Sequence, residues 1–256
     1  MSEKYLIEKS SLTALADITR AYNETPDKEY SLAEVTEQVR KASENYYNLF
    51  EDGIDEIKSE TATTLSPGSF SGALHASGLG IIDLPNVVNI YRNALSFNQI
   101  RVLNMPKLED IGQYAFSGIN IKSSIYFPSV KSVGNYAFTD FSKNGNSTNY
   151  CVYFPVLETL GTGAFNSSLS RIILKTLPVL SGLPNWGSTR SVNILMTQEN
   201  YDIAVSGTEA NWGELSGYLT RATSYDADYT KYWRNFVEKG ILTEREIRRD
   251  YYGEEV

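Results

Sequence analysis

The chain has 256 residues, a formal net charge of −8 and a single cysteine. The acidic balance excludes the basic surface that nucleic acid or anionic membranes require. One cysteine excludes an internal disulfide framework. Tyr is abundant at 18 and His occurs once, which suits contact surfaces better than acid–base chemistry.

Residues 1–60 are expected to be helical. No apolar h-region follows Met1, so no signal peptide is expected, and no stretch is long enough to span a bilayer. Ser11 caps a segment with Leu12, Leu15, Ile18 and Tyr22 on one face. Asn23 to Tyr30 makes a turn, and Ser31 with Glu34 forms a capping box for a second helix. That helix carries Leu32, Val35, Val39, Ala42, Tyr46 and Leu49, the seam spacing of a coiled coil. The stripe either closes a helix hairpin on itself or drives self-association. The acidic run of Glu51, Asp52, Asp55, Glu56 and Glu60 lacks calcium-loop spacing and is expected to be a solvated helix face. Residues 61–68 look like a linker.

From about 69 the chain repeats. Leu84-Pro85, Met105-Pro106, Phe127-Pro128, Phe154-Pro155 and Leu177-Pro178 recur at spacings of 21, 22, 27 and 23 residues. Two residues after each proline stand Val87, Leu108, Val130, Leu157 and Leu180. Five after it stand Ile90, Ile111, Val133, Leu160 and Leu183. Ala94-Leu95, Ala115-Phe116, Ala137-Phe138 and Ala164-Phe165 close the units, and Ala73-Leu74 suggests a partial unit ahead of them. A period in this range marks a solenoid. Gly112, Gly134 and Gly161 share one position, where a positive φ is expected.

Each proline is expected to follow a short strand. Side chains alternate along a strand, so Ile82, Leu84, Leu103, Met105, Ile125, Phe127, Val152 and Phe154 point inward; Lys175 breaks this pattern in the last unit. The outward column is then Asp83, Asn104, Tyr126, Tyr153 and Thr176, a candidate partner-binding ladder. Cys151 falls on the outward side in the column of Ile81, Val102, Ser124 and Leu174, with partial burial expected. One unit is enlarged by the polar stretch Thr139 to Asn149, and Phe141, Asn144 and Asn146 join the candidate binding residues there. Val192, Ile194 and Met196 alternate as a last strand, and Trp186 and Trp212 are expected to seal the end.

Residues 225–256 return to helix. Tyr229, Tyr232, Trp233, Phe236 and Val237 form a wide apolar stripe that ends at Gly240. Thr243 with Glu246 makes another capping box. The stripe packs either on its own chain or on a partner.

Met105 to Phe116 and Phe127 to Phe138 resemble the BspA-type leucine-rich repeat, whose units read apolar-Pro-x-apolar-x-x-Ile-Gly-x-x-Ala-Phe. The resemblance implies an α+β fold: a short leucine-rich-repeat solenoid over 69–224 with a C-terminal cap, flanked by helices at 1–60 and 225–256. It also implies a role in adhesion or recognition. Leu12 to Arg20 resembles the N-terminal segment of phage tail and baseplate-associated proteins. That likeness implies a virion component assembled in the host cytoplasm. Its N-terminal helices would attach to other virion proteins, as an oligomer, and its solenoid would meet a host-surface glycan or protein. A structural head or tail decoration protein is the alternative, ahead of a bacterial surface adhesin or a glycan-active enzyme. No catalytic set, cofactor or metal site is expected: His75 has no nucleophile partner, and Asp83 has no second carboxylate in its column for glycoside hydrolysis.

Overall fold

The computed structural model describes residues 56–72, 80–96, 98–121, 123–139, 142–143, 150–165, 171–182, 193–208 and 211–255. Three parallel ladders of very short strands run along the solenoid. The first holds β1 (Glu56–Lys58), β3 (Ile81–Asp83), β6 (Val102–Asn104), β9 (Ile125–Tyr126), β12 (Val152–Phe154), β14 (Arg171–Leu174), β16 (Asn193–Met196) and β17 (Leu219–Arg221). The second holds β2 (Thr64–Leu65), β4 (Asn89–Ile90), β7 (Asp110–Ile111), β10 (Ser132–Val133), β13 (Thr159–Leu160) and β15 (Val179–Leu180). The third holds β5 (Gln99–Ile100), β8 (Asn120–Ile121) and β11 (Ser142–Lys143). The result is a β-solenoid of about six turns. Every rung runs in the same direction because each turn returns the chain to the same edge.

Burial follows the repeat. Leu65, Ile90, Ile111, Val133, Leu160 and Leu180 of the second ladder are all buried. So are Ala94, Ala115, Ala137 and Ala164 with the large residues that follow them. The phenylalanines stack down the axis: Phe116 on Phe138 and Phe138 on Phe165 at 5.3 Å, and Phe127 on Phe154 at 5.2 Å. Pro85 and Pro106 sit second in tight turns closed by Val87 N–H to Leu84 C=O and by Leu108 N–H to Met105 C=O, both 3.2 Å. Proline suits that position because its φ is already set and no N–H is lost.

Several sequence expectations move in register. The solenoid begins earlier than 69. Glu56–Lys58 is strand rather than helix, paired with β3. Thr64–Leu65 is a rung paired with β4, not linker. The place of Ala94-Leu95 is held in the opening turn by Ser69-Phe70, since Phe70 donates to Ala94 C=O as Leu95 donates to Ala115 C=O. Ala73-Leu74 is therefore not its counterpart, and lies outside the described residues.

The fifth proline is not equivalent to the other four. The ladder sets Leu174 opposite Phe154 and Leu180 opposite Leu160. Lys175 thus occupies the site of Pro155, and Pro178 comes three residues late. Leu180, not Leu183, fills the buried column of Leu160. The apolar run Ile172-Ile173-Leu174 held the register, and proline was the weaker marker.

Gly112, Gly134 and Gly161 do not carry positive φ. A Cβ on Gly112 would stand 2.7 Å from Ile90 O, and one on Gly161 would stand 2.5 Å from Asn135 N. These glycines let the backbones of successive turns touch. The left-handed residues come two later, at Tyr114 (φ 56°) and Tyr136 (φ 55°), with Gly163 (φ 61°) in the next turn.

Past the repeats, β16 and β17 extend the first ladder, and the helix α1 (Gln198–Ser206) lies between them in sequence. Trp212 is buried at this end, and its Nε1–H donates to Pro178 C=O at 2.9 Å. Trp186 and the N-terminal seam from Leu32 to Leu49 lie outside the described residues. The tail comprises α2 (Tyr225–Asp228), a π turn (Tyr229–Trp233), α3 (Arg234–Glu238), α4 (Glu244–Ile247) and a second π turn (Arg248–Tyr252). Gly240 (φ 66°) breaks the first run, and Thr243 with Glu246 forms the expected capping box. Among the described residues, no helix is long and apolar enough to cross a membrane.

Candidate recognition surface

The outward column of the first ladder reads Lys58, Asp83, Asn104 in β1, β3 and β6. It continues as Tyr126, Tyr153, Ile173, Leu195 and Thr220 in β9 to β17. Four of the five expected ladder residues are therefore in place. Thr176 is not: Ile173 stands beside Tyr153, and Thr176 Oγ1–H donates to Leu157 C=O of the preceding turn at 2.6 Å. Phe141, Asn144 and Asn146 lie outside the described residues.

The column divides in two. Its second half is covered by the tail. Tyr153, Ile173 and Leu195 are buried together with Tyr232, Trp233, Phe236, Ile247 and Tyr251. Trp233 meets the Tyr153 ring edge-on at 5.3 Å, and Tyr251 packs edge-on against Trp233 at 5.0 Å. Tyr153 is thus buried (5% exposed) and is no docking residue. The tail stripe packs on its own chain because the rungs beneath it are apolar on both faces.

Most polar groups at the tail are paired, the buried Tyr232 hydroxyl being an exception. Trp233 Nε1–H donates to Tyr252 Oη at 2.8 Å, and Tyr252 Oη–H donates to an Asp228 carboxylate oxygen at 2.9 Å. That same oxygen accepts Thr223 N–H at 3.0 Å. Arg248 ties the rim, donating to Glu244, Glu254 and Asp226 at 2.7, 2.6 and 2.6 Å. Cys151 lies beneath the tail, fully buried, in the column of Arg171 rather than Leu174. Burial pushes its thiol up to about 12. A thiol held in the protonated form is no nucleophile.

The first half of the column is open. Asn104 Nδ2–H donates to Asp83 Oδ1 at 2.7 Å, and Lys58 Nζ stands 3.4 Å from the other Asp83 oxygen. Val102, on the same outward face, is 42% exposed. Tyr126 marks the boundary. Its ring stacks on Tyr153 at 5.4 Å, yet it remains half-buried. Burial, with Glu246 and Asp250 nearby, raises its phenol above the ordinary tyrosine value. At this boundary lies a cleft of about 520 Å³, lined by Arg101, Val102, Leu103 and Asn104 on one side and Ser124, Ile125 and Tyr126 on the other. Ile100 and Ile121 form part of its lining, and Lys239 and Ile241 of the tail complete it. No repeat-based argument would find this cleft, because Asn104 and Tyr126 are ordinary neighbours in the sequence register.

Residues 54–144 match the family model described as BspA type leucine rich repeat region, in six copies. No curated protein and no solved structure matches the chain.

Proposed function

We propose that this chain is a recognition protein of a phage particle, and that its solenoid presents the open half of the first ladder to a host-envelope glycan or protein. The observation that carries the binding part is the uneven cover of that ladder. The tail buries the apolar rungs and stops at Tyr126, beside a cleft whose rim carries Val102, Asn104 and the half-buried Tyr126. Clefts of this size with an apolar lining and a few polar groups are where ligands bind. Leucine-rich-repeat solenoids generally serve as binding scaffolds rather than catalysts. Placement in a tail or baseplate rests on the likeness of Leu12 to Arg20 to such proteins. The seam from Leu32 to Leu49 supplies the oligomer, and several copies raise avidity without new contacts.

The test is sedimentation of the purified full chain with intact Gram-positive cells and with their envelope fractions. Wild-type protein co-sediments, and the double variant Val102→Asp, Asn104→Trp loses at least tenfold. If wild type binds none of these, recognition is wrong. Antibody labelling of particles by electron microscopy checks the placement: label at the tail tip supports it, and label on the head favours a decoration protein.

A further inference from the structure

The first ladder is interrupted once. β1, β3 and β6 form one hydrogen-bonded sheet and β9 to β17 another, with no pairing between β6 and β9. The second and third ladders run unbroken past the same point, through β7–β10 and β5–β8. The opening is therefore local to one wall of the solenoid.

Its lips are aimed at each other. Val102 N–H donates to Gly80 C=O at 3.2 Å, and Asn104 C=O accepts Leu84 N–H at 2.9 Å, so both residues face β3. Backbone groups alternate along a strand, which points the N–H and C=O of Leu103 across the cleft. On the far lip, Ile125 N–H donates to Cys151 C=O and Phe127 N–H to Tyr153 C=O, at 2.9 and 3.0 Å. Ser124 and Tyr126 therefore face β6. The tail takes one of these groups, because Ser124 N–H donates to Asn235 Oδ1 at 2.6 Å. A side-chain bond, Ser123 Oγ–H to Arg101 C=O at 3.2 Å, spans the end of the cleft. Leu103 and Tyr126 make no backbone hydrogen bond across it to any described residue. Unpaired strand edges are a template for another strand.

The lining sorts by face as a strand would require. Leu103 and Ile125 point to the apolar interior with Ile100 and Ile121, and Asn104 and Tyr126 point outward. The charge is one-sided. Arg101 and Lys239 line the cleft and, among the described residues, no carboxylate does, in a chain whose net charge is −8.

Building on the recognition role, we propose that the cleft accepts an extended peptide segment of the partner protein as the missing rung. That segment alternates apolar and polar residues and carries carboxylates at the Arg101 and Lys239 side. Its apolar side chains meet Leu103 and Ile125, and its backbone bonds the N–H and C=O groups of Leu103 and Tyr126. Main-chain bonds then provide affinity and alternate side chains provide specificity, as in other strand-addition complexes.

The probe is a set of fluorescent nine-residue peptides that alternate Val or Ile with Ser or Thr and end in two aspartates. They are measured by anisotropy against the full chain. Binding is expected for at least one. N-methylation of its alternate amides should weaken it tenfold or more, and Arg101→Glu with Lys239→Glu should weaken it at least threefold. Leu103→Pro removes a cleft N–H that no ladder bond uses, and should abolish binding while the far-ultraviolet circular dichroism stays unchanged. Hydrogen exchange without peptide adds a measurement independent of any variant. The Leu103 and Tyr126 amides should exchange fast, and slow on peptide addition. Protection in the peptide-free chain means that the chain fills its own cleft and overturns the proposal. So does a peptide set that fails to bind, or one whose N-methylated forms bind equally well. If envelope material still sediments the protein in that case, recognition stands and only the strand is wrong; if neither binds, both fall.

Discussion

The two halves of the first ladder share a backbone and an inward apolar column, and differ in what points out. From β1 to β6 the outward residues are Lys58, Asp83 and Asn104, joined by an ion pair and a hydrogen bond from the Asn104 amide to Asp83. From β12 to β16 they are Tyr153, Ile173 and Leu195, sealed under Trp233, Phe236 and Tyr251 of the tail. A polar column satisfies itself in water. An apolar column costs about 25 cal/mol for every Å² left wet, so it needs a cover. The outward residues therefore decide where the tail lies, and the edge of the tail decides where the cleft opens.

The sharpest way to break this contrast is Trp233→Ala. Trp233 is fully buried at the centre of the covered half and touches Tyr153, Phe236 and Tyr251. Truncating a buried aromatic costs about 3–5 kcal/mol. Chemical denaturation should show that loss, and binding of an apolar-surface dye should rise.

A smaller effect comes from pH. The Cys151 thiol keeps its proton to about pH 12 in the folded chain, while an exposed thiol loses it near 9. Between those values the folded state holds more protons, so stability falls as pH rises, by about 1.4 kcal/mol per unit for this group. Urea denaturation of wild type and Cys151→Ala from pH 7 to 10.5 should show the gap between them shrinking above pH 9. A gap independent of pH would place the thiol in contact with water.

The smallest effect belongs to the open half. Asp83→Ala removes the partner of both Lys58 and Asn104, yet exposed pairs contribute about 0–1 kcal/mol. The melting midpoint should barely move. A loss near that of Trp233→Ala would mean that the open column is structural rather than a surface held for a partner.

Much of the solenoid was legible because its signal is repeated. Val87, Leu108, Val130 and Leu157 recur two residues after a proline, and all four are buried. Where the marker and the pattern parted, at Lys175 and Pro178, burial of apolar residues won, because a turn tolerates many residues and a core rung does not. Three features stayed illegible. The opening turn at Glu56 and Thr64 has Glu60 where the later units have their proline, and its strands are three and two residues long. The glycines at 112, 134 and 161 are consistent with either positive φ or close approach, and only the neighbouring turn distinguishes them. The candidate site depends on a missing hydrogen-bonded rung contact, which leaves no trace in composition or spacing.

The sequence by itself determined the period, the inward columns, the stacked phenylalanines and the apolar stripe of the tail. These follow from local alternation and repetition, which each turn restates. Only the tertiary structure decided that the stripe covers Tyr153, Ile173 and Leu195, that Ile173 displaces Thr176 from the column, and that β6 and β9 stand unpaired. The cover brings together surfaces far apart in the chain, as where Cys151 Sγ meets Lys231 C=O 80 residues on, and the other two outcomes depend on how neighbouring turns stack. Such meetings are set by the whole burial pattern rather than by any one turn.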